Sequence, residues 1–201
     1  LTTRELARMI RARGIAFGAL SEVGVFDDPL GGSTGAAQIF ASSGGVMEAL
    51  ARTALHLRDG DDGPLEWETL RGVDEGLKTA TLPGMGRVAV CNGIASAQRL
   101  LANDAWRERF IAIEVMACVG GCLGGGGEPK SMDRDILRKR MGAIYEVDRQ
   151  AIRRRSHENP DVQALYASEL GVPGSPAAHA LLHTAYAGRR SARLLLMRFL
   201  D

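Results

Sequence analysis

The sequence predicts an α/β fold in which a small mixed or mostly parallel sheet, flanked by helices, is followed by a purely helical segment. Three observations carry this. Short apolar runs bounded by glycine recur early in the chain, among them "GLKTATL", "GRVAVCNG" and "FIAIEVMAC", and runs of that length rich in β-branched residues read as strands. Around them lie stretches such as "VMEALARTALHL" with apolar residues at three- and four-residue spacing, the period of a helix. From Ser131 onward only the helical period remains, so the pattern divides the chain into an α/β lobe over 1–130 and a helical segment over 131–201.

Taken in order, "LTTRELARMI" sets Thr2 three residues before Glu5, a capping-box pattern, with Leu6, Met9 and Ile10 at helical spacing. Gly14 ends that pattern, and "IAFGALSEVGVFDDPLGGSTG" reads as a shaped loop. "AAQIFASSGG" predicts a short strand ending at Phe40, a tight turn through Ser42, Ser43, Gly44 and Gly45, and then a helix through Val46, Leu50, Ala54 and Leu57. A strand, turn and helix in that order aim backbone N–H groups at whatever lies above the strand end. "DGDDG", 59–63, has calcium-loop composition but Pro64 where an EF-hand needs glycine, so it reads as a solvated loop. "LEWETLRGV" is a further strand-like run, and "IASAQRLLAND" a helix. In the second segment, "MDRDILRKRMGAIYEVDRQAIRRR" places Ile136, Leu137, Met141, Ile144 and Val147 on one side of a long helix. Asn159 with Pro160, and Ser175 with Pro176, open the two helices that follow.

Bulk composition excludes several functions. With 201 residues, 45% apolar and 24% charged, the chain is an ordinary globular protein. A net charge of +1 argues against electrostatic capture of nucleic acid. No apolar run reaches the roughly 18 residues of a membrane span, and no signal peptide opens the chain, so the expected location is the cytoplasm. Leu1 leads straight into a helix signal, as a fragment or a split subunit would. The three cysteines are too few for a disulfide scaffold, and Cys91, inside a strand pattern, reads as a small buried apolar residue.

The chemistry concentrates in "EVMACVGGCLGGGGEP", residues 114–129, where Cys118 and Cys122 sit among six glycines. Thiolates are soft ligands for zinc or iron–sulfur clusters, yet two do not complete a tetrahedral site. On spacing alone the pair reads equally well as metal ligands or as packed loop cysteines. The glycines tilt the balance: they permit positive φ, remove Cβ and let successive N–H groups converge on a large anion, which a thiolate-bound cubane is. "GGGGEPKS" lacks the Gly-Lys-Ser/Thr ending of a phosphate-binding loop and puts Glu128 where phosphates would lie. His179 and His183 share a helical face, but Ala180 follows His179 where a zinc protease has glutamate, so they read as structural histidines. His157, Glu158 and Asn159 read as groups that satisfy loose backbone ends.

With these motifs assembled, the chain resembles the C-terminal part of the catalytic domain of iron-only (di-iron) hydrogenases. "EVMACVGGCLGGGGEP" is similar to that family's third cluster motif, except that Glu128 replaces the usual glutamine before proline. Matching segments run in the family's order: "LTTRELARMI", "GSTGAAQIF", "GGVMEAL", "RGVDEGLKTA", "VAVCNGIASAQRLL", "RRSHENPDVQALYASELG" and "AHALLHTAY". The resemblance implies a 4Fe-4S cubane joined through a cysteine sulfur to a di-iron unit with carbon monoxide, cyanide and dithiolate ligands. Carried over residue by residue, it makes Cys118 a cubane ligand, Cys122 a ligand that also bridges to the di-iron unit, and Met116 and Phe40 its neighbours. Ala41, Ser42 and Ser43, with Gly120 and Gly121, would line the cofactor pocket and offer it backbone N–H groups. The implied activity is the reversible reduction of protons to dihydrogen.

Two departures qualify what the resemblance implies. Ala41, Ser42 and Ser43 stand where the family commonly has glycine, a small residue and threonine, which makes the pocket wall more polar. The family's first two motifs, with the other cubane cysteines, do not occur in this sequence. The expected partner is therefore a polypeptide carrying that N-terminal half, and the isolated chain is expected to be inactive. Ferredoxin or NAD(P)-linked subunits would be the electron-transfer partners. A non-catalytic iron–sulfur protein, similar to cytosolic cluster-assembly factors, and a sensory hydrogenase relative are the alternatives. Glu128 would either face the cluster and make it harder to reduce, or turn to solvent or cap the following helix.

Overall fold

The computed structural model describes residues 1–21, 24, 32–60, 70–74, 76–102, 104–129, 131 and 133–185. It divides into two compact units, Leu1–Pro160 and Asp161–Asp201. The sheet of the first unit has three strands, β1 (Gly76–Leu82), β2 (Gly86–Asn92) and β3 (Ala112–Met116), in the order β1-β2-β3. β1 pairs antiparallel with β2 through the Pro83–Met85 turn, while β2 pairs parallel with β3. The parallel step needs a crossover, made by α4 (Ile94–Leu101) and the single turn α5 (Trp106–Arg109). β2 lies between the other two strands and is buried from Val88 to Asn92.

Six further helices complete the described chain. They are α1 (Thr3–Ala12), α2 (Gly35–Ile39), α3 (Gly45–Asp59), α6 (Arg134–Gln150), α7 (Pro160–Leu165) and α8 (Pro176–Leu182). The capping box read from "LTTRE" is present: Glu5 N–H donates to Thr2 Oγ1 and Thr2 N–H to Glu5 Oε2. Ser175 caps α8 through the N–H of Ala178, with Pro176 in the first turn. A π-helical turn, Tyr166–Leu170, continues α7. The long helix stops at Gln150 rather than running into "AIRRR".

Two readings change. "AAQIF" is a helical turn rather than a strand: Thr34 Oγ1 accepts the N–H of Ala37 and starts α2, whose Ala36 and Ile39 are buried, and α2 packs on α6. The strand read in "LEWETLRGV" falls mostly on 61–69, outside the described residues, and its end, Leu70–Val73, forms no strand. The "DGDDG" loop also lies largely outside them.

The apolar core forms where α3 crosses one face of the sheet, joining Met47, Ala51 and Leu70 to Leu82, Val88 and Val90. Beside it lies a buried ionic network that ties α3 to α6. Arg52, 2% exposed, sits between Glu48 and Asp148, both fully buried. Its two terminal nitrogens reach the Asp148 oxygens at 2.7 and 2.8 Å, and one also bonds Glu48. Arg71 holds Glu48 through two bonds of 2.9 and 2.7 Å, Tyr145 donates its hydroxyl to Glu48 at 3.0 Å, and Arg154 reaches Asp148 at 2.7 Å. Burial pushes the Tyr145 pKa up, and the neighbouring Glu48 charge adds to it.

The junction after α6 is closed much as the sequence implied. Glu158 accepts the backbone N–H groups of Arg154 and Arg155, and Asn159 donates to the Gly32 carbonyl. The His157 ring stacks on His56 at 5.1 Å and meets the Thr53 hydroxyl. In the second unit, the rings of His179 and His183 lie 4.4 Å apart. No helix among the described residues is long and apolar enough to cross a membrane.

Candidate metal centre

β3 ends at Met116, half-buried, and delivers the chain to the cysteine loop. Cys118 and Cys122 are free, exposed thiols, whereas Cys91 is fully buried in β2. The loop turns back on itself through Gly120 and Gly121, at φ +83° and +75°, so that the Gly121 N–H returns to the Cys118 carbonyl at 3.0 Å. Cys122–Gly124 then forms a 3₁₀ turn, and the Gly125 N–H bonds the Cys122 carbonyl at 3.0 Å. A Cβ on Gly125 would lie 3.7 Å from Cys118 Sγ and 3.1 Å from the Cys122 carbonyl oxygen, so the backbone at this glycine runs close to both cysteines.

The turn after Phe40 is joined directly to this loop. Ser42 forms an isolated antiparallel bridge with Gly121, and the Leu123 N–H donates to the Ala41 carbonyl at 3.3 Å. Phe40, 46% exposed, ends α2 beside them. The structure thus brings together Phe40, Ala41, Ser42 and Ser43 with Gly120, Gly121 and Cys122. Both serines are buried. Ser42 donates its hydroxyl inward to the Ile39 carbonyl at 2.9 Å, and the Ser43 hydroxyl has no hydrogen-bond partner. The N–H groups of Ser42, Gly44 and Gly45 are engaged by Ile39, Glu114 and Ser42, which narrows what the turn can offer to a ligand.

Other elements hold the loop by its backbone. Asn92, fully buried at the end of β2, accepts the Gly120 N–H at 2.8 Å and donates to the carbonyls of Asp74 at 2.6 Å and Gly72 at 3.4 Å. Arg140 on α6 reaches the carbonyls of Leu123 and Pro129 at 2.8 and 3.0 Å. The start of α1 supplies an Arg4 N–H to Gly127, the Arg4 guanidinium to Gly126 and the Thr3 hydroxyl to Glu128 at 2.7 Å. Glu128 therefore engages the preceding helix α1 rather than capping the helix after it. Glu114 on β3 is buried against the start of α3; burial raises its pKa above the ordinary carboxylate value, and N–H bonds from Gly44 and Met47 oppose this only in part.

Asn92 and Glu114 were not singled out as site residues in the sequence. The available signals were a carboxylate inside the apolar run "FIAIEVMAC" and an asparagine ending a buried strand, since groups of either kind are buried only when bonded.

The donor set fits part of an iron–sulfur site. Two free, exposed thiols on a glycine loop suit two of a cubane's four thiolate ligands. Among the described residues no cluster of three or more histidines, cysteines or carboxylates is placed to hold a metal ion, so further ligands would come from elsewhere. Gly121→Ala should damage this arrangement, because a Cβ would lie 2.6 Å from the Ala41 oxygen and 2.8 Å from the Ser43 nitrogen at a positive φ. The expected loss is about 1–3 kcal/mol in urea denaturation, whereas Gly126→Ala, with nothing within 4 Å, should be neutral.

Residues 1–126 match the family described as "Iron only hydrogenase large subunit, C-terminal domain", and residues 134–189 match "Iron hydrogenase small subunit". The chain belongs to the iron-only hydrogenase family. Cys118 and Cys122 fall within the large-subunit match and the long helix α6 within the small-subunit match. The NADP-reducing hydrogenase subunit HndD of Solidesulfovibrio fructosivorans is 43% identical over 94% of this chain and 33% of its own length. Protein NAR1 of Arabidopsis thaliana is 32% identical over 92% of this chain and 41% of its own. Among solved structures, a variant of the [FeFe]-hydrogenase HydA1 from Chlamydomonas reinhardtii superposes with a TM-score of 0.68 at 36% identity, covering 92% of this chain and 54% of that one. The chain thus spans well under half of these curated relatives and about half of the solved hydrogenase.

Proposed function

We propose that this chain supplies one half of a hydrogenase active site and acts with a polypeptide that carries the remaining cubane ligands. The observation that carries this reading is the Ser42–Gly121 bridge, which sets the turn after Phe40 against a loop with two free, exposed thiols. In the proposed site, Cys118 and Cys122 would hold a 4Fe-4S cubane, and Cys122 would also be the attachment point of a di-iron unit with carbon monoxide, cyanide and dithiolate ligands. When bound, that group would supply the reversible reduction of two protons by two electrons to dihydrogen.

The chain's own residues bind and shape. Gly120 and Gly121 adopt the positive φ that turns the loop back on itself and, at Gly121, admit the close approach of the 41–43 backbone, and Asn92 fixes the loop through the Gly120 N–H. Phe40 and Met116 present apolar surface that limits water at the metals. Ala41, Ser42 and Ser43 form the wall facing the cysteine loop, and the unpartnered Ser43 hydroxyl is the polar group that this wall adds. An electron donor of the ferredoxin or NAD(P)-linked kind would dock on the partner polypeptide.

Anaerobic reconstitution tests this. The chain mixed with a polypeptide bearing the other cubane cysteines, iron, sulfide and the di-iron cofactor should gain iron–sulfur absorbance and evolve hydrogen, and the chain alone should do neither. Hydrogen evolution by the chain alone would overturn the half-site reading. A stable cluster with no hydrogen evolution would favour a second reading, a non-catalytic iron–sulfur protein, for which the supporting observation is the similarity to the cytosolic iron-sulfur assembly component 3 of Rattus norvegicus, 31% identical over 92% of this chain and 40% of its own length.

A further inference from the structure

Glu114 is the carboxylate buried in the strand that leads to the cysteines, 7% exposed. Its two oxygens accept backbone N–H groups from another element: Oε1 takes that of Gly44 and Oε2 that of Met47, each at 2.7 Å. These belong to the start of α3, where the first N–H groups of a helix lack intrahelical partners and the helix dipole favours negative charge. The N-cap position is Gly44, which has no side chain to cap with. No larger residue fits there, because φ is +91° and a Cβ would meet the Leu70 carbonyl oxygen at 2.2 Å. The cap therefore comes from β3.

Within the 41–44 turn most bonds are local, apart from the Ser42 hydroxyl's 3.5 Å contact with Tyr145 on α6. The Ser42 N–H and hydroxyl both go to the Ile39 carbonyl, and the Gly45 N–H returns to the Ser42 carbonyl. They define the turn's form but not where it stands relative to the sheet. Ser42 and Ala41 bind the turn to the cysteine loop. Among the described residues, Glu114 binds its far end to the strand from which that loop emerges, four residues before Cys118.

We propose that Glu114 is a positioning residue for the metal centre, fixing the 41–44 turn in register with the cysteine loop; this rests on the hydrogenase reading above. Glutamine at this position keeps the size but replaces one acceptor with an NH₂ group, so one of the two N–H groups faces a donor. Aspartate keeps both acceptors on a shorter arm and should give an intermediate result.

Two measurements test the proposal. In the chain without cofactor, Glu114→Gln should speed amide hydrogen exchange at Gly44 and Met47 by about ten- to a hundredfold, as loss of a charge-assisted bond implies. It should also speed exchange at Gly121, across the bridge. In the anaerobically reconstituted complex, at equal iron content, the variant should displace the infrared bands of the carbon monoxide and cyanide ligands, with Glu114→Asp displacing them less. Faster exchange at Gly44 and Met47 with Gly121 unchanged, or with the infrared bands unmoved, would reduce Glu114 to a helix cap and overturn the proposal. If the wild-type complex assembles no cofactor, the hydrogenase reading fails, and Gly121 exchange still decides whether Glu114 positions the loop. Should Glu114→Gln not fold, Glu114→Asp answers both measurements.

Discussion

Asp148→Ala should destabilise the Leu1–Pro160 unit by about 3–5 kcal/mol, the usual cost of removing one partner from a buried ion pair. Arg52 would keep its charge in the interior after losing one carboxylate partner, and its other described one, Glu48, is already shared with Arg71 and Tyr145. The double variant Arg52→Met, Asp148→Leu should recover much of the loss, because apolar residues of similar volume replace a buried pair at little net cost. Urea denaturation of the three variants measures this through the midpoint at constant slope; a single variant as stable as the wild type would show that the network contributes nothing.

The same pair has a pH signature. Burial pushes the Asp148 pKa up, but hydrogen bonds from Arg52 and Arg154, together with their charges, outweigh it and hold the carboxyl below the ordinary aspartate value. Since the folded pKa lies below the unfolded one, the unfolded chain binds more protons in acid. The contribution is complete above about pH 4, near the unfolded pKa, and is lost as pH falls through the folded value. Wild-type stability should therefore decline in that acid window, and the decline should be shallower in Asp148→Asn.

Cys122→Ser should reduce hydrogen evolution by the reconstituted complex to background, because a serine hydroxyl is not ionised at neutral pH and cannot replace a bridging thiolate. Cys91→Ser, a change inside β2 at a fully buried cysteine that is not a proposed ligand, should leave the activity per assembled complex unaltered. Iron content measured alongside separates the two effects of Cys122: a variant that keeps its iron but not its activity has lost the bridge, and one that loses both has lost the cluster. Undiminished hydrogen evolution by Cys122→Ser would remove this residue from the proposed site.

What the sequence made legible was local. The capping box at Thr2 and Glu5, the Ser175–Pro176 helix start and the glycine loop after β3 depend on residues within a few positions of one another, and each has a recognisable spelling. "AAQIF" was misread because a short apolar run fits a buried strand or a buried helical turn equally well; Thr34 was the cap, and packing against α6 decided it. The ionic network was invisible for another reason. Glu48 and Arg52 are spaced as an exposed i,i+4 pair, and nothing near them in sequence announces that Asp148, 96 residues away, meets them in the interior. The candidate site divides in the same way. Cys118 and Cys122 could be read directly, whereas Asn92 and Glu114 acquire meaning only when β2 and β3 lie side by side and α3 begins above them.

The cysteine loop has almost no regular structure, yet Asn92, Arg140, the first turn of α1 and the 41–44 turn all grip its backbone. In a small zinc domain the ion itself orders the ligands, so binding energy is diverted into folding and removal of the metal unfolds the chain. Here the ordering entropy of the loop is already offset by contacts that involve no metal. In the proposed site, little affinity would then be lost to assembling the loop, which would act as a socket for its centre rather than as a tether ordered by it.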